Sequence, residues 1–325
     1  MKKRLFSGIQ PSGDIHIGNY LGAIRNWVAL IPQYECIYCV VDYHAITVPY
    51  EPDQMQRRIL NAAATNIACG IDPEQCTLFV QSHVPEHTEL TWLLNTVTPI
   101  GDLQRMTQFK DKAKQHEANV CAGLLNYPVL MTADILLYKG EVVPVGDDQV
   151  QHLELAREIT RRFNARFGAI FPEPQERLTA AARIMGLADP TKKMSKSMGN
   201  AIGLLEDPDS VWEKVRTAVT DPARMRRTDP GEPTKCNLFS LHQYFSGADD
   251  IEHVTQGCRS ASIGCIECKK ILFERMMATL EPMRQQAQAL LATPDTVWDI
   301  LRSGADHCRE IARQTIAEVK QAMGL

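Results

Sequence analysis

Short apolar runs alternate with segments of helical period through the first half of the chain, and this alternation constrains the fold more than any other feature. Arg4 to Ile9 reads as a strand, and Ile17, Leu21, Ile24 and Val28 recur at helical spacing, predicting a helix over 17–30. Cys36 to Val41 is an apolar run suited to a buried strand, followed by a helix over about 54–69 that Gly70 closes. Thr77 to Val80 is a third strand. Helical patterns follow from Thr88 and over 124–138, then a strand over 141–145 and a helix over 149–163. Strands separated by helices pair in parallel and carry helices on both faces, so the expected fold is a doubly wound, Rossmann-like α/β sheet. Lys110 to His116 holds four charged residues with Ala113 as its one apolar member, and is expected to be a surface loop.

From Asp207 onward the strand patterns stop and helical ones take over, for example Ile271 to Leu291 and Asp306 to Met323. The expected division is a catalytic α/β domain over 1–200 and an all-helical domain over 201–325. The first residues are basic but turn to Ser7 and Gly8 after two apolar positions, and no apolar run reaches the ~20 residues that span a bilayer. A soluble cytoplasmic chain without a membrane partner is expected. Thirty-five Lys and Arg against 39 Asp and Glu leave a net charge of −4, which does not advertise a nucleic-acid partner.

Two segments carry phosphate chemistry. Phe6 to Asn19 joins the first strand to the first helix, where an open parallel sheet binds its ligand and where free N–H groups favour anions. In it Gly18 permits close backbone approach, while His16 and Asn19 are placed to donate to a phosphate. The second segment is Lys192-Lys193-Met194-Ser195-Lys196-Ser197, set between Pro190 and Gly199: three lysines and two hydroxyls on a loop suited to a polyphosphate. A structural His and a solvated basic loop are the competing readings of each segment taken alone.

Ten cysteines are many for such a chain, and Cys236, Cys258, Cys265 and Cys268 fall within 33 residues, with 21, 6 and 2 residues between them. Two thiolates two residues apart can share one metal or cluster, and two more from flanking segments complete a four-thiolate site. Iron–sulfur, zinc and unliganded thiols all remain open on spacing alone. Cys36 and Cys39 lie on opposite faces of a strand and cannot easily share a metal. His83-Val-Pro-Glu86-His87 matches a zinc-protease spacing, but Pro85 opposes a helix through His83.

Together, His16-Ile-Gly18-Asn19 and Lys192-Lys193-Met194-Ser195-Lys196-Ser197 resemble the paired signatures of class I aminoacyl-tRNA synthetases. Further stretches over nearly the whole chain resemble the bacterial tryptophanyl branch. They are Phe6 to Gly13, Val41 to Thr47, Gly123 to Pro128, Met131 to Tyr138, Val145 to Gln149 and the terminal Gln321 to Leu325. Asn19 stands where the general class I motif has a second His, a departure normal in the tryptophanyl and tyrosyl branch.

The resemblance implies activation of L-tryptophan by ATP with Mg2+, then transfer to tRNA(Trp), by a homodimer. It implies His16, Asn19, Lys193, Ser195 and Lys196 as catalytic residues. It places ATP on Gln10, Pro11, Ser12, Gly18, Asn19, Gly146, Asp147, Asp148, Ile184, Lys193, Met194, Ser195, Lys196 and Ser197, with Asp148 accepting from the ribose. Asp134, in a strongly apolar helix where an unpaired carboxylate is costly, needs a donor, and an internal Arg or Tyr is the competing partner. The resemblance makes that donor the indole N–H, with Phe6, His44, Met131, Ile135 and Val145 as pocket walls and Tyr127 and Gln149 on the α-amino group. The cysteine pattern is similar to that of a subset of these enzymes that hold a four-iron four-sulfur cluster near the anticodon site, with zinc the lesser expectation. Arg224, Arg226, Arg227, Arg259, Lys269 and Lys270 are candidate phosphate contacts. A tyrosyl-tRNA synthetase, a small-molecule adenylyltransferase and a non-catalytic metal protein are the alternatives.

Overall fold

The computed structural model describes residues 2–115, 120–146, 149–178, 184–192, 194 and 200–325. In chain order the elements are β1 (Arg4–Ile9), α1 (Ile17–Asn19), a π-helical turn (Tyr20–Ile24), α2 (Arg25–Leu30), β2 (Glu35–Val40), α3 (Asp42–Ala45), α4 (Met55–Ala68), β3 (Thr77–Val80), α5 (Glu86–Asn95), α6 (Ile100–Arg105) and α7 (Thr107–Gln115). There follow α8 (Ala122–Leu136), β4 (Val142–Val145), α9 (Val150–Phe167), β5 (Gln175–Leu178), α10 (Pro208–Thr217), α11 (Asn237–Phe245), α12 (Ala248–Arg259), α13 (Cys265–Ala292) and α14 (Pro294–Met323).

The chain forms two compact units. The first gathers residues 1–12, 26–181 and 290–325 and holds the sheet. Its five strands run in the order β3-β2-β1-β4-β5, every pair parallel. The chain winds outward from β1 through β2 to β3, then returns to place β4 on the other side of β1. The switch of direction therefore falls between β1 and β4, and the carboxyl ends of such strands are where open α/β sheets bind ligands. Gln10 follows β1 there, and Gly146 follows β4. The doubly wound fold expected from the sequence is thus the fold observed.

Differences of detail have physical causes. β5 went unread because all four of its residues are exposed and it pairs along one edge alone, so no apolar pattern marks it. The expected surface loop over 110–116 is helical through residue 115, as α7, with His116 outside the described residues. Phe109 packs against the core, and the Thr107 N–H donates to Gln151 Oε1 at 2.9 Å, which together hold this polar helix in place. α14 belongs to the sheet unit: its Gly304 lies so close to β3 that a Cβ there would stand 2.1 Å from the Leu78 carbonyl oxygen. Among the described residues no helix is long and apolar enough to cross a membrane.

The second unit gathers residues 13–25 and 182–289. It contains α1, the π turn, α10, α11, α12 and most of α13, and no named strand among its described residues. The first signature segment therefore sits in the same unit as the segment that flanks the second.

Candidate active site

In the helical unit His16 is the N-cap of α1. Its Nδ1 accepts the Gly18 N–H at 3.1 Å, and Asn19 Oδ1 accepts the His16 N–H at 3.1 Å, a reciprocal capping box. With Nδ1 used as acceptor, the neutral imidazole carries its proton on Nε2, which is the donor the ring can offer a phosphate. Gly18 is required by this cap: a Cβ there would lie 2.9 Å from the His16 ring. The close approach that demands glycine is thus made by the imidazole itself.

Backbone pairing brings this turn to the far side of the second signature. The Ile17 N–H donates to Ile202 O at 3.0 Å, and His16 and Gly203 form an antiparallel bridge. The Leu204 N–H donates to Ile15 O at 2.9 Å. On the near side, the Met194 N–H donates to Ile184 O at 2.8 Å and Gly186 N–H to Lys192 O at 2.8 Å, with Ile184 and Met194 both buried. Lys193, Ser195, Lys196 and Ser197 lie outside the described residues, as do Asp147 and Asp148. Within one unit the structure thus pairs the His16 turn with residues 202–204, which follow the second signature in sequence.

In the sheet unit the candidate tryptophan residues converge on α8. Tyr127, Met131 and Asp134 lie on one face of that helix, spaced by four and three residues. Asp134 is 1% exposed, and three protein donors reach it: Gln81 Nε2 at 2.7 Å and His87 Nδ1 at 2.6 Å on Oδ1, and His44 Nε2 at 2.7 Å on Oδ2. Burial raises the pKa of this carboxyl, but His44 and His87 outweigh it and hold Asp134 at about 2. Sequence reasoning identified His44 only as a wall, did not single out Gln81, and met His87 only as part of a discounted zinc-protease spacing. His44 meets Tyr127 edge-on with centroids 6.2 Å apart, and Tyr127 Oη is 3.0 Å from His152 Nε2, a second buried residue that spacing did not reveal.

Phe6 stacks on Tyr138 at 5.6 Å between centroids, and Ile135 and Val145 are buried in the same core. Met131 is half-buried against it. The Gln149 N–H donates to Gly146 O at 2.9 Å. Gln10 and Ser12 are exposed and Pro11 is buried, in the segment that leaves β1. The zinc-protease spacing comes apart: His83 ends a short 3-10 turn, α5 begins only at Glu86, and His87 is committed to Asp134.

The four clustered cysteines come from the start of α11, the end of α12 and the first turn of α13. Burial and the proximity of the other three thiols push the Cys268 thiol up to about 12. Burial likewise raises Cys258, against the lowering effect of Arg224. Among the described residues, however, no three His, Cys, Asp or Glu side chains are placed together as ligands for a metal ion. Nearby, a cleft of about 550 Å³ is lined by Arg224, Arg226, Arg227, Cys265 and Lys270 among others. Two of the expected phosphate contacts are used internally. Arg224 donates to Ile263 O at 2.6 Å, and the buried Lys269 ammonium donates to Arg216 O and Ala218 O at 2.7 and 2.8 Å. Arg259 is paired with Glu232.

Residues 1–281 match the family of class I tRNA synthetases for W and Y. The chain is 52% identical to the tryptophan–tRNA ligase of Deinococcus radiodurans, covering 99% of this chain and 98% of that one. It is 47% identical to the same ligase of Thermosynechococcus vestitus, over 98% and 99% of the two chains. The tryptophanyl-tRNA synthetase of Campylobacter jejuni, solved with ADP and tryptophan, superposes with a TM-score of 0.91 at 34% identity, covering 99% of this chain and all of that one. A tyrosyl-tRNA synthetase of Archaeoglobus fulgidus shares the fold at 20% identity and a TM-score of 0.69. The chain belongs to the class I aminoacyl-tRNA synthetases, in their bacterial-type tryptophan–tRNA ligase branch.

Proposed function

We infer from this membership that the chain is an aminoacyl-tRNA ligase that charges tRNA with tryptophan at the expense of ATP. The observation in the structure that best supports it is the backbone pairing of the His16 turn with Ile202 and Gly203, just beyond the Lys-Met-Ser-Lys-Ser segment. A carboxylate oxygen of tryptophan bonds to the α-phosphorus and pyrophosphate departs; the 2′-hydroxyl of the terminal adenosine then attacks the acyl carbon and releases AMP. Neither step needs a covalent protein intermediate. The chain's work is positioning, together with stabilising charge on the departing pyrophosphate.

In this reading His16 Nε2, Gly18 and Asn19 contact the triphosphate, Lys193, Ser195 and Lys196 neutralise the leaving pyrophosphate, and Asp148 accepts from the ribose. Gln10, Pro11, Ser12, Gly146, Asp147, Ile184, Met194 and Ser197 complete the nucleotide contacts. Mg2+ would enter on the phosphates of ATP and lower the charge between them; among the described residues no carboxylate cluster is placed to hold it in advance. Asp134 accepts the indole N–H on Oδ2, the oxygen with one protein donor, while Tyr127 and Gln149 bind the α-amino group. Phe6, His44, Met131, Ile135 and Val145 form the walls. A site built around a paired polar group rejects analogues lacking it by roughly 10⁴–10⁵.

We also propose that Cys236, Cys258, Cys265 and Cys268 take up one metal centre, a four-iron four-sulfur cluster in preference to zinc. Four thiols of suitable chemistry within electrostatic reach of one another support it, although their side chains are not converged as ligands. The chemistry above has no redox step, so such a centre would serve structure or tRNA recognition. Visible absorption and elemental analysis of anaerobically purified protein test it; protein with neither iron nor zinc refutes it. The exposed Arg226 and Arg227 beside these cysteines are the proposed tRNA contacts. A cytoplasmic homodimer, as the family membership implies, completes the proposal. Transfer of labelled tryptophan to bacterial tRNA tests the whole reading. Adenylate formation without charging would favour a small-molecule adenylyltransferase instead.

A further inference from the structure

We propose that His87 and Tyr138 act as a positioning pair for substrate choice. His87, held by Tyr138, occupies Oδ1 of Asp134 together with Gln81 and so leaves the carboxylate a single acceptor position, with the result that the pocket selects a ring presenting one N–H donor and no acceptor. The proposal rests on the reading of Asp134 as the indole acceptor and extends it to residues that never touch substrate.

A carboxylate offers about four acceptor positions. Oδ1 of Asp134 takes two donors, Gln81 Nε2 and His87 Nδ1, and Oδ2 takes one, His44 Nε2. One position on Oδ2 is left. Each donor on Oδ1 is in turn pinned from its far end. Gln81 Oε1 accepts the Tyr43 N–H at 3.1 Å, which orients the amide with its NH2 toward Asp134. His87, fully buried, carries a proton on the nitrogen that faces the carboxylate, and its Nε2 lies 2.7 Å from Tyr138 Oη.

Burial keeps the Tyr138 phenol protonated, and a neutral His87 that donates from Nδ1 to the carboxylate presents Nε2 as acceptor to that phenol, so the pair matches the tautomer that donates from Nδ1. The imidazole is also stacked on Phe79 with centroids 5.8 Å apart and meets the Tyr138 ring at 5.4 Å, so it cannot swivel. Cys308 of α14, also fully buried, lies beside the phenol at the far end of the chain.

Stability alone does not account for this chain of buried polar groups, because well-packed apolar residues commonly match or exceed such networks. Selection does account for it. A substrate phenol, both donor and acceptor, would leave its own lone pairs unmatched against the single remaining position. An indole N–H is a donor only and is fully matched.

The test is amino-acid-dependent ATP–pyrophosphate exchange by the full chain, with tryptophan and with its isostere bearing sulfur in place of the indole N–H. Tyr138→Phe keeps the ring and removes the hydroxyl. His87→Gln is the second variant, used should Tyr138→Phe fail to fold by circular dichroism. Either should raise KM for tryptophan about tenfold with kcat within about twofold, and leave KM for ATP and for the sulfur analogue within about twofold. The preference for tryptophan then falls about tenfold. Equal weakening of both amino acids, or no change in either, overturns the positioning role. If the unaltered protein does not prefer tryptophan to the sulfur analogue, the reading of Asp134 itself fails, and the proposal with it.

Discussion

Asp134→Asn is the perturbation whose cost the geometry specifies most closely. The amide is isosteric with the carboxylate, so the helix and its neighbours need not move. Two donors, from Gln81 and His87, converge on Oδ1, so the amide oxygen must stay there and the NH2 must replace Oδ2. His44 can then accept from it by exchanging tautomers. The substrate N–H cannot adapt: it loses a charge-assisted acceptor, about 1.5–3 kcal/mol, and faces an unpaired donor, about 1–3 kcal/mol more. The sum, about 2.5–6 kcal/mol, predicts a fall of roughly 10²–10⁴-fold in kcat/KM for tryptophan.

The assay is pyrophosphate exchange at varied tryptophan and varied ATP. KM for ATP should stay unchanged. A loss under about fivefold, or an equal loss for both substrates, would refute the reasoning. The charge state adds a check. Because Asp134 is held at about 2, below its ordinary 3.8, its stabilisation is complete above 3.8 and is lost as pH falls through about 2. The tryptophan KM should therefore show no titration of this group across neutral pH.

Three further outcomes follow from other parts of the chain. Lys196→Ala should reduce adenylate formation by roughly 10²-fold or more while leaving tryptophan binding, followed by calorimetry, nearly intact; equal loss of both would count against its phosphate role. Gly304→Ala would drive a Cβ into the Leu78 carbonyl and should cost about 1–3 kcal/mol, lowering the melting temperature by several degrees. Lys269→Met leaves the Arg216 and Ala218 carbonyls without their buried ammonium and should destabilise the helical unit by about 1–3 kcal/mol in urea titration, rather than weaken tRNA binding selectively.

The sheet was legible because β2, β3 and β4 are largely buried apolar runs, and β1 and β3 fall on the residues expected from the sequence. β5 and α7 were not, because one is an exposed edge strand and the other a polar helix held by a few tertiary contacts. At the site, the need of a buried Asp134 for donors was readable from its apolar surroundings. Which donors met that need was not, since Gln81 and His87 lie 53 and 47 residues away and reach it only through the packing of β3 and α5 beside α8. The signal that could have found them is a pair of donor side chains flanking Pro85, in a stretch whose zinc-protease spacing drew attention elsewhere. The clustered cysteines were legible as a group, yet spacing could not say whether their side chains converge.

The central claim is that this chain activates tryptophan. Exchange of labelled pyrophosphate into ATP, measured on the purified full chain with each amino acid separately, tests it most directly. Exchange that depends on tryptophan and is lower by several orders of magnitude with tyrosine is the predicted result. Exchange supported by tyrosine in preference, or by neither, would contradict it.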